Sequence, residues 1–468
     1  MITTTPKAWL GQMRERATES VDISSLAVFR MLFGVMTGIG AARFLANGWV
    51  EQFFVKPDFF FTYWGFGWVE PLSPAGMHAA FVALVVLSLM IIIGLFYRAA
   101  IISFFVLFTY VELIDVSNYL NHYYLVSLLA LLLSFLPANA AWSVDALIRP
   151  SIRRAKTAAY HIWLLRFQIG VVYFYAGIAK TGSDWLVHGQ PLNIWLSSRV
   201  DTPVIGPFLD LWWIALAMGW AGLLNDLLMP FLLSWKRSRP FAYAIIVVFH
   251  VVTGYFFRIG MFPLIMMVSA TIFFGPGWPK RFVPERFWPT DAASSRRAHA
   301  GLRKVAMTLA LGYCLLHVMM PLRAFAYPGN VLWNEQGMRW SWRVLVREKN
   351  GAVTFRVKVA NRQKEYYVSP SRYLTSHQER EMSSQPDLIL QLAHHIGDEY
   401  EQKGFEDVQV RVDAQVSLNG RAPRPMINPN FDLFQVRDGL APAAWILPGP
   451  DQAPPRLGSR SRFNTISK

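Results

Sequence analysis

The feature that most constrains the fold of this chain is a succession of long apolar blocks separated by short polar loops. Nine blocks can be read from the sequence, at about 24–46, 76–96, 99–116, 119–138, 162–180, 210–234, 240–256, 259–275 and 304–321. Each is close to the ~20 apolar residues that cross a bilayer as a helix. The 468 residues are only 16% charged, which is less than a soluble globular protein carries. We therefore predict an α-helical polytopic membrane protein with about nine spans. Gly260 and Pro263 predict a tight hairpin or a broken helix between the seventh and eighth blocks.

The basic residues are distributed unevenly between alternate loops. The loops at 1–22, 98, 149–156, 236–239 and 280–304 contain about eighteen Lys and Arg, whereas the alternate loops contain about three. The positive-inside rule then places the N-terminus in the cytoplasm and the chain beyond the ninth block outside. Residues 1–23 form a polar cytoplasmic lead-in, without the apolar core and cleavage site of a signal peptide. Because the +15 net charge lies mostly in these loops, the predicted partner is the lipid bilayer and not nucleic acid.

The pattern changes after residue 330, beyond a predicted transmembrane domain at 24–322. "SWRVLVRE" and "AVTFRVKVA" alternate on either side of "KNG", which predicts a β-hairpin. "DLILQLAHHIGDEYEQKG" predicts an amphipathic helix, and "DVQVRVDAQVSL" a further strand. We predict a small, β-rich α+β extracytoplasmic domain at 330–438. The Pro-rich, basic tail at 440–468 is predicted to be disordered.

Lys180 ends the fifth block on the predicted outer side, and two interpretations are open. A lysine at the end of a span can extend its amine to the membrane surface. Alternatively, burial in an apolar site would keep the amine uncharged, and a neutral amine is a usable base. The outer loops at 49–71 and 183–200 are rich in Trp and Phe, a composition typical of the bilayer interface or of a roof over an apolar pocket.

Other ionisable residues near the blocks each have an ordinary and a functional interpretation. Asp115, Asn121 and His122 lie on the same predicted side as Lys180, so the four side chains can meet. His122 is an interface histidine or a proton relay, and Asp115 is a water-facing acid or a pocket residue. Arg30, Asp226 and His250 lie inside apolar blocks, where ionisable groups are costly; we expect mainly structural roles for these three.

Disulfide and metal chemistry are not predicted. The single cysteine, Cys314, excludes an intrachain disulfide. The run "AHHIGDE" contains His394 and His395, but adjacent histidines point to different faces of a helix. We therefore expect no metal.

Several separated stretches resemble the vitamin K-dependent gamma-carboxylase family, whose membrane part is shared by many bacterial proteins. They follow the family's order from about residue 22 to 437, with near-identical spacing around the lysine and the histidine. The stretches are "DISSLAVFR", "LIDVSNYLNHYYL", "WSVDAL", "LRFQIGVVYFYAGIAKTGSDW", "RIGMFP", "WSW" and "RPMINPNFDLFQV".

The resemblance implies a specific reaction. The family's lysine, matching Lys180, removes a proton from vitamin K hydroquinone, with Asn121 and His122 in the same site. Oxygen adds to the anion, and the resulting alkoxide takes a γ-proton from a peptide glutamate. Carbon dioxide captures the carbanion, and vitamin K epoxide leaves. The implied cofactors are vitamin K hydroquinone, O2 and CO2 or bicarbonate. The implied partners are an isoprenoid quinol and a glutamate-containing exported peptide, at a bacterial cytoplasmic membrane.

The resemblance also gives candidates for the pocket that holds cofactor and substrate. Four cations are candidate clamps for a glutamyl carboxylate, or are plain exposed charge: Arg347, Lys349, Arg421 and Arg424. The other candidates are Asp115, Tyr119, Tyr173, Asp184, Trp185 and Trp342.

The chain departs from the vertebrate members of the family in several places. Arg347 and Lys349 stand near positions that carry a histidine and an arginine there, and Ala324 replaces a histidine. The vertebrate disulfide and the region that binds substrate propeptides are missing. Three alternatives therefore remain: an epoxidase without carboxylation, a non-enzymatic quinone- or lipid-binding module or assembly factor, and a transporter.

Overall fold

The computed structural model of the chain describes residues 6–257, 259–292, 300–360 and 365–456. Its helices are α1 (Pro6–Thr18), α2 (Ser24–Ala46), α3 (Pro74–Ile93), α4 (Tyr97–Ile114), α5 (Asn121–Phe135), α6 (Val144–Ile148), α7 (Ala159–Ile178), α8 (Ser183–Leu186), α9 (Leu192–Ser197), α10 (Gly206–Leu209), α11 (Trp212–Ser234), α12 (Arg239–Phe256), α13 (Phe262–Ala270), α14 (Ala300–Leu322), α15 (Val331–Asn334), α16 (Ser376–Met382) and α17 (Pro386–Gln402). Its strands are β1 (Ser20–Asp22), β2 (Lys156–Ala158), β3 (Lys349–Lys358), β4 (Tyr366–Val368), β5 (Gln409–Leu418) and β6 (Arg424–Pro425).

A helix lies at each of the nine predicted apolar blocks, but the count of nine spans is not confirmed. Among the described residues, six helices are long and apolar enough to cross a membrane: α2, α3, α4, α11, α12 and the run Lys304–Ala326 that begins in α14. At nine residues, α13 is about 14 Å long, which is too short for a hydrocarbon layer of about 30 Å. The break predicted at Gly260 and Pro263 is confirmed, because α12 ends at Phe256 and α13 begins at Phe262.

Contacts join the charge-rich loops to one another. β1 pairs antiparallel with β2, with Ser20 opposite Ala158. Lys280 forms an ion pair with Asp22, with 2.6 Å between Nζ and Oδ2. Members of the set predicted to be cytoplasmic therefore share one end of the helical bundle. Nearby, Arg30 is fully buried and donates to the carbonyl of Trp142 over 2.6 Å, so it faces the bundle interior as expected.

The C-terminal part contains a four-stranded antiparallel sheet in the order β4-β3-β5-β6, with α17 packed against β5. Alternate residues of β5 are buried, as its alternating sequence predicts. Apolar residues of the sheet and of α17 form one core with residues of the loop that follows α2, among them Phe61 and Tyr63. The predicted fold class, a helical membrane protein with a small β-containing domain, is confirmed.

The hairpin predicted at "KNG" is wrong. Lys349, Asn350 and Gly351 lie inside β3, where Lys349 pairs with Leu418 of β5. Residues 340–348 form no strand; this segment packs onto the helical bundle, with the Trp342 ring stacked 5.0 Å from that of Tyr124. The alternation in "SWRVLVRE" therefore reflects packing on the bundle and not strand pairing.

The disorder predicted for 440–468 is wrong for residues 440–456, and residues 457–468 lie outside the described residues. Ile446 forms a β-bridge with Ile427. The carbonyl of Leu447 accepts from Trp333 Nε1 over 2.8 Å, and that of Pro455 from Gln190 Nε2 over 2.7 Å. A Pro-rich segment keeps its carbonyl acceptors, and here neighbouring buried donors use them.

Candidate active site

Lys180 lies in the turn after α7, where its backbone N–H bonds the carbonyl of Gly177. Its side chain turns back into the protein, and the residue is 5% exposed. Nζ donates to Asp226 Oδ2 over 2.8 Å, to the carbonyl of Ala176 over 3.1 Å, and to that of Val344 over 3.4 Å. The interpretation as a lysine that reaches the membrane surface is therefore wrong.

Asp226 is the ionic partner of Lys180 and comes from α11. It is 6% exposed, and its second carboxylate oxygen accepts from Asn225 Nδ2 over 3.0 Å. An unpaired charge in a low-dielectric interior is costly, whereas a close pair of opposite charges compensates both members. The site therefore contains a net-neutral ion pair in place of the isolated uncharged amine that the sequence led us to expect.

Close packing of α7 against α11 brings the two residues together. At Gly177, an added Cβ would lie 2.7 Å from Leu227 Cδ2 and 2.9 Å from the Leu227 backbone nitrogen. The absence of a side chain at Gly177 thus lets the helices approach one turn before the Lys180–Asp226 pair.

A cavity of about 60 Å³ adjoins the pair and is largely apolar. Its lining comes from α7, α11, α12, α13, the loop after α7 and the segment after Trp342. The lining residues are Val172, Tyr173, Ala176, Lys180, Trp185, Leu192, Met218, Gly222, Asp226, Phe249, His250, Thr253, Phe257, Ile259, Phe262, Met266, Val344 and Leu345.

Two further polar side chains face this cavity. The hydroxyl of Tyr173 and Nε2 of His250 are 3.1 Å apart. Nδ1 of His250 is buried and has no hydrogen-bond partner among the described residues. A buried ring nitrogen without a hydrogen-bond partner destabilises the folded protein unless a ligand or a water molecule forms a hydrogen bond with it. His250 is therefore a second candidate for binding a polar group in the cavity.

The aromatic outer loops have separate roles. Trp185 covers the amine, with 5.4 Å between Nζ of Lys180 and the ring centroid, and its Nε1 donates to the carbonyl of Gly219 over 2.7 Å. Leu192 follows in the cavity wall. In contrast, several aromatic residues of the loop after α2, among them Phe61, pack into the core of the C-terminal sheet, and others are exposed. Only the second loop forms the predicted roof.

The segment 340–345 covers the remaining side of the cavity in a strained backbone conformation. Trp340, Trp342 and Leu345 have φ values of 61°, 59° and 54°, a region that residues other than glycine seldom occupy. The indole Nε1 of Trp342 is buried and has no partner among the described residues. This segment contributes the Val344 carbonyl to Lys180, so the site includes backbone from the C-terminal part.

The asparagine and histidine predicted for the site lie beside this segment. Asn121 begins α5, its Nδ2 donates to the carbonyl of Arg343 over 3.4 Å, and its Oδ1 accepts from Tyr119 over 3.1 Å. The Tyr119 hydroxyl in turn accepts from the backbone N–H of Trp340 over 2.8 Å. Asn121 and Tyr119 thus position the segment above Lys180.

His122 is buried but is not part of the cavity lining. Its ring lies 6.1 Å from that of Phe262, whose other neighbour is His250 at 5.8 Å. Phe262 therefore separates His122 from the cavity, and a direct role for His122 requires this ring to move.

Asp115 was expected to meet Lys180, and the structure places it elsewhere. It is 1% exposed and accepts from Gln378 Nε2 of α16 over 2.9 Å and from the Ser117 backbone over 2.8 Å. Burial raises the pKa of Asp115 to about 6, against the opposing effect of these hydrogen bonds. Asp115 therefore binds the C-terminal domain and not the pocket.

Three of the four cations of the predicted carboxylate clamp already bind carboxylates of the protein. Arg347 Nη1 lies 2.8 Å and Lys349 Nζ 3.0 Å from Glu335 Oε1. Burial lowers the pKa of Lys349 to about 8, although Glu335 opposes this shift. Arg421 contacts Asp184 over 2.6 Å. The fourth cation, Arg424, is exposed on β6.

Sequence reasoning therefore missed two of the polar residues at the cavity, Asp226 and His250, which it interpreted as structural. The signal was present, because an ionisable residue inside a span normally has a partner and marks a site. It also missed the Val344 carbonyl, which no side-chain pattern can indicate. Within the residues the structure describes, no group of three or more His, Cys, Asp or Glu could hold a metal ion.

Two family models match the chain. Residues 18–278, more than half of its length, match the HTTM domain, and residues 302–452 match the vitamin K-dependent gamma-carboxylase lumenal domain. No solved structure matches it. Lys180 and Asp226 belong to the first match and Val344 to the second, so the site lies where the two matched regions meet.

Proposed function

The chain belongs to the vitamin K-dependent gamma-carboxylase family, and we propose that it couples oxygenation of vitamin K hydroquinone to γ-carboxylation of peptide glutamate. In this proposal Lys180 removes the first proton from the quinol, and O2 and CO2 are co-substrates. The chain is an integral membrane protein with an extracytoplasmic domain. We further propose that it resides in a bacterial cytoplasmic membrane with its N-terminus inside.

One observation carries this proposal: a buried lysine at the end of α7 and its carboxylate face an apolar cavity. A purely structural ion pair needs no adjoining cavity. An enclosed amine beside an apolar space suits removal of a proton from a hydrophobic, weakly acidic ligand, such as a phenol with a pKa near ~10.

The residues present fit a quinol. The lining is mainly aliphatic and aromatic, and its polar residues include Thr253, the Lys180–Asp226 pair and the His250–Tyr173 pair. Nδ1 of His250 has no partner among the described residues and could bond a hydroxyl. At about 60 Å³ the cavity has room for about four to six waters. A two-ring quinol is larger, so binding requires the lining to open.

The protein's own contribution is to bind, orient and exclude water. Trp185 and the segment 340–345 cover the amine, and a dry site prevents quenching of strongly basic species. When bound and oxygenated, the quinol supplies a base strong enough for the glutamate γ-carbon, so no side chain needs that strength. The peptide and an isoprenoid quinol are the proposed partners, alongside the bilayer.

A second candidate is an epoxidase that does not carboxylate. This alternative is favoured by the engagement of Arg347, Lys349 and Arg421 with carboxylates of the protein itself. A substrate glutamate would have to compete with Glu335 or Asp184 for these cations.

The test supplies reduced vitamin K, oxygen, labelled bicarbonate and a glutamate-containing peptide to the protein in nanodiscs. We expect epoxide from the wild type and a loss of at least about 100-fold in Lys180→Met. The matched control is Lys403→Ala at an exposed lysine, which should keep the wild-type rate. Epoxide without fixed label would identify the epoxidase. Absence of epoxide from well-folded wild type would reject both activities and favour a quinone- or lipid-binding module.

A further inference from the structure

We propose that the base of this site is the Lys180–Asp226 pair, with Asp226 as a positioning residue that finally holds the proton relayed by Lys180. The inference rests on the proposed function, because it concerns how a phenolic hydroxyl in this cavity would lose its proton. It assigns a functional role to a residue for which the sequence favoured a structural one.

The first argument is the occupancy of the amine. An ammonium has three N–H donors and no lone pair, and Nζ of Lys180 has three acceptors within 3.4 Å. To accept a proton, Nζ must first give one away. Two of its acceptors are backbone carbonyls, which are not usable proton acceptors. Asp226 Oδ2, at 2.8 Å, is the one carboxylate among them and also the nearest.

The proton balance of the step is simple. Before it, the ammonium and the carboxylate carry charges that sum to zero, and the phenol is neutral. The Nζ–H bond to Asp226 breaks as an O–H bond forms on Oδ2, and Nζ then takes the phenolic proton. Afterwards the site contains a phenolate, an ammonium and a neutral carboxylic acid. One proton has moved from the phenolic oxygen to Asp226, no electron has been transferred, and the net charge is unchanged.

Conservation of net charge matters because the site is dry. Creating an uncompensated charge in a low-dielectric interior costs several kcal/mol, whereas this step exchanges one anionic partner of the ammonium for another. Asn225, which donates to Asp226 Oδ1 over 3.0 Å, can hold the carboxyl group in either protonation state. The Val344 carbonyl makes the longest contact with Nζ, so it is the contact most readily exchanged for a ligand oxygen.

The other titratable and charged groups around the pair make contacts with residues other than Lys180. Tyr173 of α7 and His250 of α12 share a hydrogen bond in the cavity wall. Asp184 of α8 binds Arg421. The Arg343 guanidinium lies over the Phe325 ring, at 5.7 Å. Asp226 is therefore the proton acceptor in direct contact with Lys180.

The first test is the pH profile of epoxide formation. When a pair acts as the base, the wild-type rate should remain flat through neutral pH, because the amine passes its proton to Asp226 and not to solvent. In Asp226→Asn, the buried lysine must lose its proton to solvent before it can act. We expect the acid limb of the rate to move to higher pH by at least about one unit, a tenfold effect at a fixed acidic pH. Asp226→Glu should return the limb towards the wild-type position.

The alternative predicts the opposite shift. If Lys180 acted alone and Asp226 only stabilised the ammonium, Asp226→Asn would move the limb to lower pH. A limb that shifts downward, or one that stays in place while only the amplitude falls, overturns the inference. The matched control is Asp145→Asn, at a carboxylate that is also buried but lies outside the cavity; its limb should not move.

A second measurement does not depend on activity. Melting temperatures of Lys180→Met, Asp226→Asn and the double variant test whether the two side chains are coupled. We expect each single change to lower the melting temperature. The decrease in the double variant should be smaller than the sum of the two single decreases, because neither charge is then left unpaired. Additive losses would contradict the inference even in an active enzyme. Coupling in a protein that makes no epoxide would instead reject the proposed function and retain the pair.

Discussion

Asp115 directly follows α4 and is bound on two sides, by the Ser117 backbone and by Gln378 of the C-terminal domain. Burial is the largest influence on its carboxyl group and raises its pKa from 3.8 to about 6. The folded protein therefore binds a proton at Asp115 over a pH range where the unfolded chain has lost it. Stability must then depend on pH through this one residue.

The sign of this dependence follows from the raised pKa. The contribution of Asp115 is fully present below pH 3.8 and is lost as pH rises through about 6. The difference corresponds to about 3 kcal/mol in the free energy of unfolding. We expect Asp115→Asn to remove this part of the pH dependence when melting temperature is measured from pH 4 to pH 7. Asp58→Asn, at an exposed acid, should leave the wild-type dependence unchanged; an equal effect of both changes would refute the assignment.

At this scale the sequence predicted the chemical groups better than their partners. Lys180 could be found because a lone lysine at the end of an apolar block is conspicuous. Its partner Asp226 lies 46 residues away, in another block, and periodicity within one block carries no information about contacts between blocks. For the same reason the sequence did not predict the partners of the clamp candidates Arg421 and Lys349, because Asp184 and Glu335 lie 237 and 14 residues away from them.

Among the elements, α7 and α11 approach each other closely at Gly177. At Gly177 a methyl group would overlap Leu227, with a shortest separation of 2.7 Å, and one of its close neighbours is backbone that cannot rotate away. We expect Gly177→Ala to force the helices apart and lower the free energy of unfolding by about 1–3 kcal/mol. Because Lys180 lies one turn further along α7 and Asp226 directly precedes Leu227, activity should fall as well. Thermal melts and epoxide formation measure the two effects.

Gly170 provides the matched control on the same helix pair. There the nearest atom to an added Cβ is Pro230 Cβ at 3.7 Å, an ordinary van der Waals contact. Gly170→Ala should be neutral, or stabilising by up to about 1 kcal/mol through helix propensity. If the two substitutions behave alike, helix propensity and not close packing decides the effect at Gly177.

The element-scale predictions succeeded where the pattern was local. Each apolar block contains a helix, and α17 and β5 lie where amphipathic and alternating patterns placed them. The hairpin failed because β3 pairs with β5, some 60 residues later, and not with the segment before it. A turn signal such as "KNG" indicates that a tripeptide can form a turn. Whether the turn forms depends on which distant strand pairs with these residues.

Across the whole molecule, the C-terminal domain is attached to the membrane part by specific polar contacts. Asp184, in the loop after α7, accepts from Arg421 over 2.6 Å and from Asn419 Nδ2 over 2.7 Å. The Pro455 carbonyl accepts from Gln190. These contacts connect the C-terminal part to the loop that roofs the cavity, and the contact of Asp115 attaches it at a second place.

Removal of the Arg421 contact should loosen this attachment. Arg421→Ala leaves Asp184 without its charged donor, and we expect the free energy of unfolding to fall by about 2 kcal/mol. Hydrogen exchange should rise first in residues 183–197 and 409–425, before the bundle unfolds. Arg372→Ala removes a more exposed ion pair with Glu399 and should have little effect. Uniform exchange throughout the chain in Arg421→Ala would contradict a local attachment.

The Val344 carbonyl on Lys180 restricts how the two matched regions can diverge. A chimera that joined this membrane bundle to a foreign outer module would inherit an ammonium whose third hydrogen lacks an acceptor. In a recombined protein the six residues around Val344 must therefore be kept together with the membrane bundle, whichever of the two matched regions their sequence belongs to.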